Sequence, residues 1–110
     1  MDELSKSQRK VLQDCAARVY EAEATRKLEE LECDFKRWRD RELDVGELLE
    51  SIHKFHQVQA KDLWSIYQSL KPPEIVARGI ALQLVAESDV PEEIVQHLRP
   101  LIAFFSRTSN

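Results

Sequence analysis

The stretch LSKSQRKVLQDCAARVYEAEATRKLEELECDFKRWRDREL, residues 4–43, decides the fold. It contains no glycine or proline and is rich in alanine, leucine, glutamate, lysine and arginine, which favour α-helix. These features predict one helix over residues 5–42, which at ~1.5 Å per residue would be ~57 Å long. A compact domain of this length has a radius of gyration of only ~13 Å. The helix must therefore project from the domain or be kinked.

The apolar residues of this helix form two sets that face different directions. At ~100° per residue, the two sets lie about 140° apart, more than the ~20° drift of each heptad repeat explains. Either the helix breaks near residues 20–25, or one set packs within the domain and the other on a partner. The first set is Leu4, Val11, Leu12, Cys15, Val19 and Ala22, and the second is Ala24, Leu28, Leu31, Phe35 and Trp38.

Three more helices are predicted over residues 45–70, 73–87 and 90–106. Asp44 with Glu47 has the form of a capping box, and the prolines at 72 and 73 separate the second helix from the third. Asp89 with Glu92 predicts the cap of the fourth helix. The chain is therefore predicted to be a single all-α domain, a mostly antiparallel, bundle-like arrangement of four helices.

Residues inside the last two helices carry further expectations. The third helix is apolar nearly all round, which is typical of a central, buried helix. Gly79 lies within it, so a close packing contact is expected there. Pro100 lacks the N–H that would bond Gln96 and should bend the fourth helix.

Composition and charge limit the classes of function. Hydrophobic residues make up 43% of the 110 residues, charged residues 33%, and the net charge is -4, which favours a globular protein and argues against nucleic acid or an anionic membrane as partner. No apolar run could span a membrane, and the acidic N-terminus predicts no secretory signal. Cys15 and Cys33 would lie ~27 Å apart along one helix. Free thiols are therefore predicted, and they suit the cytoplasm.

Histidines and a glutamine of the second helix are the candidates for a site. Glu50 and His53 fit the E-x-x-H form of di-metal bundles, but no second copy of that form accompanies them. No metal, cofactor or catalytic residue is therefore predicted. Gln59 falls within the apolar stripe of the second helix, and together with His56 and Tyr67 it could line a ligand pocket. Alternatively, Gln59 bonds a backbone group or a tyrosine and fixes the packing register.

A basic run near the end of the first helix offers another alternative. Arg37, Arg39 and Arg41 surround Trp38, and such a run can bind phosphates and stack a base. However, Trp38 belongs to the second apolar set, and the acidic residues Asp34, Asp40 and Glu42 dilute the charge. A solvated helix face is the favoured interpretation.

Residues 47–57, ELLESIHKFHQ, and residues 62–67, DLWSIY, carry a resemblance. An I-H-x-F-H step followed by L-[WY]-x-x-Y resembles the central part of small bacterial all-helical proteins. The resemblance covers a small part of the chain. It implies a bacterial cytoplasmic protein and no particular activity or site residues.

These observations predict an interaction or regulatory module rather than an enzyme. The first helix is too long for its domain and presents two faces, which suggests a homodimer or a complex with another helical protein. The predicted interface is Leu4, Val11, Leu12, Cys15 and Val19. The alternative is a small ligand-binding protein or enzyme with a pocket near His56 and Gln59, and the second alternative is nucleic-acid binding through the three arginines.

Overall fold

The computed structural model describes residues 4–108, and within that range it contains helices and no strand. The four helices are α1 (Lys6–Arg39), α2 (residues 45–69), α3 (Pro72–Ala81) and α4 (Glu92–Thr108). The middle of α2 is a π-helical turn, Phe55–Gln59, and a 3₁₀ turn, Glu87–Asp89, precedes α4. The all-α, four-helix prediction is confirmed, and α1 is helical without a break at residues 20–25.

The chain divides into two compact units, and α1 contributes to both of them. The first unit combines the chain up to Ala22 with the chain from Leu70 onward, and the second is Glu23–Ser69. The division falls where the apolar residues of α1 change direction. The two apolar sets of α1 therefore belong to different units.

The first unit contains the larger hydrophobic core. α3 packs closely against α4, and Leu12 and Val19 of α1 are fully buried in the same core. As its apolar sequence predicts, α3 is buried along most of its length, including Val76 and Ala77. The buried apolar side chains of this unit are Leu12, Cys15, Ala16, Val19, Ile75, Val76, Ala77, Ile80, Val90, Ile94, Val95 and Leu98.

Gly79 makes the close contact that the sequence predicts. A Cβ atom built on Gly79 would lie 2.6 Å from Cγ2 and 2.7 Å from Cγ1 of Val19. Carbon atoms in contact normally lie about 3.5–4.0 Å apart. The missing side chain therefore lets the backbone of α3 approach α1.

Two helices end earlier than predicted, α1 at Arg39 rather than 42 and α3 at Ala81 rather than 87. In each case a non-glycine residue adopts a left-handed conformation two positions later, Arg41 with φ 64° and Gln83 with φ 60°. The N–H of Glu42 bonds the carbonyl of Arg37, and the N–H of Leu84 bonds that of Gly79. These are Schellman endings, for which glycine is the usual signal.

The caps at the helix starts agree with the sequence at one site and differ at another. Glu47 N–H donates to Asp44 Oδ1 at 2.7 Å, and Asp44 N–H donates to Glu47 Oε1 at 3.0 Å, which confirms the capping box of α2. The predicted cap at Asp89 is wrong, because its carboxylate accepts from Ala86 N–H in the 3₁₀ turn. α4 begins only at Glu92 and runs through Pro100.

The two cysteines differ in accessibility. Both are free thiols, as predicted, but Cys15 is buried and Cys33 is exposed. Burial raises the pKa of the Cys15 thiol, and the nearby Arg18 only partly opposes this.

Because the thiolate is the reactive form, we expect a disulfide reagent to modify Cys33 at least about 100-fold faster than Cys15, which reacts after local opening. Peptide mapping after timed labelling measures both rates, and Cys33→Ser controls the assignment.

Candidate interaction surface on the helical hairpin

Residues 23–69 form a hairpin of two antiparallel helical segments. Far from the connecting turn, the Tyr67 hydroxyl of α2 donates to Glu23 Oε1 of α1 at 2.7 Å. Near the turn, Asp34 and Arg37 of α1 line one groove together with Glu47 of α2. The two segments are therefore neighbours at both ends of the hairpin. We call residues Glu23–Ser69 the hairpin.

The hairpin has a shallow core, in which several apolar side chains, among them Leu31, Ile52 and Leu63, are half-buried rather than buried. Among its residues, all of which the structure describes, only Leu48 is buried. Leu28 is 55% exposed and Phe35 is 39% exposed, although both belong to the apolar face of α1. The exposed large apolar side chains of the hairpin are Leu28, Phe35, Val45, Leu49, Val58 and Trp64. Scattered exposed apolar residues are common, but six of them in a unit with one fully buried residue are typical of an interaction surface.

The apolar residues on the α1 part of the hairpin follow a heptad pattern. Successive members are four, three, four and three residues apart, the spacing at which helices pair. We call this set the heptad stripe: Ala24, Leu28, Leu31, Phe35 and Trp38. The pattern alone does not single out this face, because Leu12, Cys15, Val19 and Ala22 of the first apolar set are also three, four and three residues apart.

Charge changes sign along α1 at Phe35. Residues 29–34 carry four acidic side chains and no basic one, whereas residues 36–42 carry four basic side chains and two acidic ones, Asp40 and Glu42, a net charge of +2. The acidic segment is Glu29, Glu30, Glu32 and Asp34, and the basic segment is Lys36, Arg37, Arg39 and Arg41. The Arg37–Asp34 ion pair is long, at 3.8 Å, and partly exposed, so it adds little within the chain. Each segment keeps most of its charge at the surface.

The predicted interface needs correction. Leu12, Cys15 and Val19 are buried in the core of the first unit, so their side chains cannot contact a partner while that unit is folded. Leu4 is half-buried and Val11 is 37% exposed. The sequence showed that the two halves of α1 face different surfaces, but it did not show which half packs within the chain. On the second half, Leu28 and Phe35 of the second apolar set remain exposed.

The predicted pocket residues are close in sequence but differ in exposure. His56 is exposed, whereas Gln59 and Tyr67 are half-buried. Tyr67 directs its hydroxyl to Glu23 rather than into a cavity with Gln59. His56 and Gln59 belong to the π-helical turn, in which Ala60 N–H bonds the carbonyl of Phe55. That turn was not predicted, because no residue type in the segment signals it.

The arginines of the nucleic-acid alternative are spread over different environments. Arg37 pairs with Asp34, and Arg39 lies over the Trp38 ring at 5.6 Å from its centre. Arg41 follows the end of α1 in the left-handed conformation. Trp38 is half-buried, so only part of its ring is accessible for stacking on a base.

One cavity of the first unit contains a cysteine. Cys15, Arg18, Val85, Asp89 and Val90 line a volume of about 260 Å³. Because burial raises the pKa of Cys15, the thiol stays protonated at neutral pH. A protonated thiol is a poor nucleophile and a poor metal ligand. The cavity therefore lacks the features of a catalytic cysteine site.

The chain was compared with known proteins, and no family model, curated protein or solved structure matches it. No helix between residues 4 and 108 combines the length and apolar character needed to cross a membrane. Within the same residues, no group of three or more histidine, cysteine, aspartate or glutamate side chains could hold a metal ion.

Proposed function

We propose that this protein is a non-enzymatic interaction module that self-associates through its hairpin. The observation that carries the proposal is the contrast between one buried residue and six exposed large apolar residues in that unit. Two antiparallel helices rarely bury enough surface alone, whereas two hairpins can form a four-helix bundle with a shared core. The association face proposed here is the second half of α1, not the first half that the sequence favoured.

The energetics favour covering this surface. Burying apolar area contributes about 25 cal/mol per Å², and fully burying a leucine or phenylalanine side chain contributes about 1.5–3 kcal/mol. Leu28 and Phe35 still expose 55% and 39% of their surface, so covering each of them with a partner would contribute roughly half of that amount. Several such side chains together can offset the loss of translational and rotational freedom on association.

A second copy of the chain is the partner that the charges favour. A two-fold interface uses the same patch on both subunits, so the patch must complement itself. An acidic segment next to a basic segment meets that requirement, because each can face its opposite on the other subunit. The two free thiols favour a reducing, cytoplasmic setting for this association.

The test is the solution mass of the protein and of the variant Leu28→Glu/Phe35→Glu, measured by light scattering over about a hundredfold range of concentration. We expect the unmodified chain to be a dimer and the variant a monomer, because association would bury two uncompensated carboxylates. The dissociation constant should increase at least about 100-fold, which corresponds to about 2.7 kcal/mol.

The matched control places the same charges on the first unit. Val11 and Phe104 are exposed to similar extents, 37% and 49%, and Val11→Glu/Phe104→Glu should remain dimeric. A monomeric control with a dimeric hairpin variant would place the interface on the first unit instead. A chain that is monomeric at every concentration would refute self-association.

A further inference from the structure

We infer that two copies pair through the heptad stripe of α1 in antiparallel orientation, with the two-fold axis close to Phe35. This inference rests on the proposed function, and it specifies the orientation of the partner. The observation behind it is the change of charge at Phe35, with the acidic segment on one side and the basic segment on the other.

Parallel pairing would place like charges together. In a parallel pair each residue faces its counterpart, so the acidic segments would face one another and the basic segments would do the same. Like charges across a helix interface destabilise it and select against that orientation. The Arg37–Asp34 pair within the chain, at 3.8 Å, offsets one charge of each segment and adds little.

Antiparallel pairing reverses the second α1 and brings opposite charges together. With the axis near Phe35, residues before position 35 lie level with residues after position 35 on the other subunit. The segment from Glu29 to Asp34 then faces the partner subunit's basic segment, and the reverse contact repeats it by symmetry. Phe35, the large apolar residue between the two segments, lies at the centre, where hot spots normally cluster.

The ends of the pairing also match the structure. α1 ends at Arg39, and the chain turns into α2 at Val45. Around an axis at Phe35, Leu28 lies level with position 42 of the partner subunit, three residues before the exposed Val45. The heptad stripe and the start of α2 therefore supply apolar surface on both sides of the centre.

Cysteine cross-linking tests the orientation in a Cys33→Ser background, which removes the exposed native thiol. Two cysteines from Phe35→Cys would lie near the axis and should form an intersubunit disulfide under mild oxidation. The two cysteines from Leu28→Cys would lie at least about 15 Å apart, measured along the helix axis at ~1.5 Å per residue. That distance is beyond the reach of a disulfide. In a parallel pair both variants would cross-link.

Phe35→Cys dimers forming at least about tenfold faster than Leu28→Cys dimers, with both variants dimeric by mass, would support the inference. Equal rates would overturn the antiparallel orientation and leave self-association standing. If both variants are dimeric and neither cross-links, the heptad stripe does not form the interface. A monomeric protein would overturn the inference and the proposed function together.

Salt dependence of the unmodified chain provides an independent readout. Salt screens exposed charges, so it weakens an interface of opposite charges and strengthens one of like charges. We expect the dissociation constant to increase with salt concentration, and a decrease would contradict the antiparallel orientation.

Discussion

Gly79→Ala is expected to destabilise the first unit by about 1–3 kcal/mol, in spite of the better helix propensity of alanine. The new Cβ would lie 2.6 Å and 2.7 Å from the two γ-carbons of Val19. Val19 is fully buried and cannot move toward solvent, so α1 and α3 must separate or strain. Thermal or denaturant unfolding followed by circular dichroism measures the change.

A double-mutant cycle with Val19→Ala separates this clash from other effects of the substitution. Val19→Ala alone removes two buried methyl groups and should cost about 2 kcal/mol. The double variant should lose at least about 1 kcal/mol less unfolding free energy than the two single variants together. The methyl group that Gly79→Ala adds would fill part of the volume that Val19→Ala leaves empty. Strict additivity would show that Gly79 and Val19 do not restrain each other.

The hairpin is expected to unfold at a lower denaturant concentration than the first unit. The midpoint of that transition should depend on protein concentration. Only Leu48 is buried within the hairpin, so most of its stability would come from association. Each tenfold dilution should remove about 1.4 kcal/mol of that stability. The two tryptophans, Trp38 and Trp64, both lie in the hairpin, so their fluorescence reports on this unit, whereas circular dichroism reports on all helices.

A variant of the first unit controls this prediction. Leu98 is fully buried there, and Leu98→Ala should cost about 2–5 kcal/mol. It should lower the later transition seen by circular dichroism while the fluorescence transition stays in place. Coincident transitions by both probes, unaffected by dilution, would indicate that the hairpin is stable without a partner.

The sequence predicted most of the fold because its signals are local. The length of α1, the capping box at Asp44, the stop at the double proline and the tight contact at Gly79 all depend on neighbouring residues or on a single residue type. The errors arose where the usual signal is missing. α1 and α3 end two positions before Arg41 and Gln83, which adopt the left-handed conformation normally left to glycine, and neither residue type signals a helix end.

The candidate site was only partly predictable, because exposure depends on tertiary packing. The two apolar faces of α1 could be separated by their angle, but each could equally pack within the chain or on a partner. The structure assigns Leu12 and Val19 to the core and leaves Leu28 and Phe35 at the surface. The sequence also placed Gln59 in an apolar stripe. The π-helical turn at that point changes the angular position of the residues that follow it.

Hydrogen exchange of the unmodified chain at a low and a high protein concentration tests the central claim most directly, because it locates the surface that association covers. We predict slower exchange at high concentration in peptides covering residues 24–39 and the start of α2, with no change in peptides covering residues 6–22. Exchange that slows only in residues 6–22, or nowhere, would contradict self-association through the hairpin.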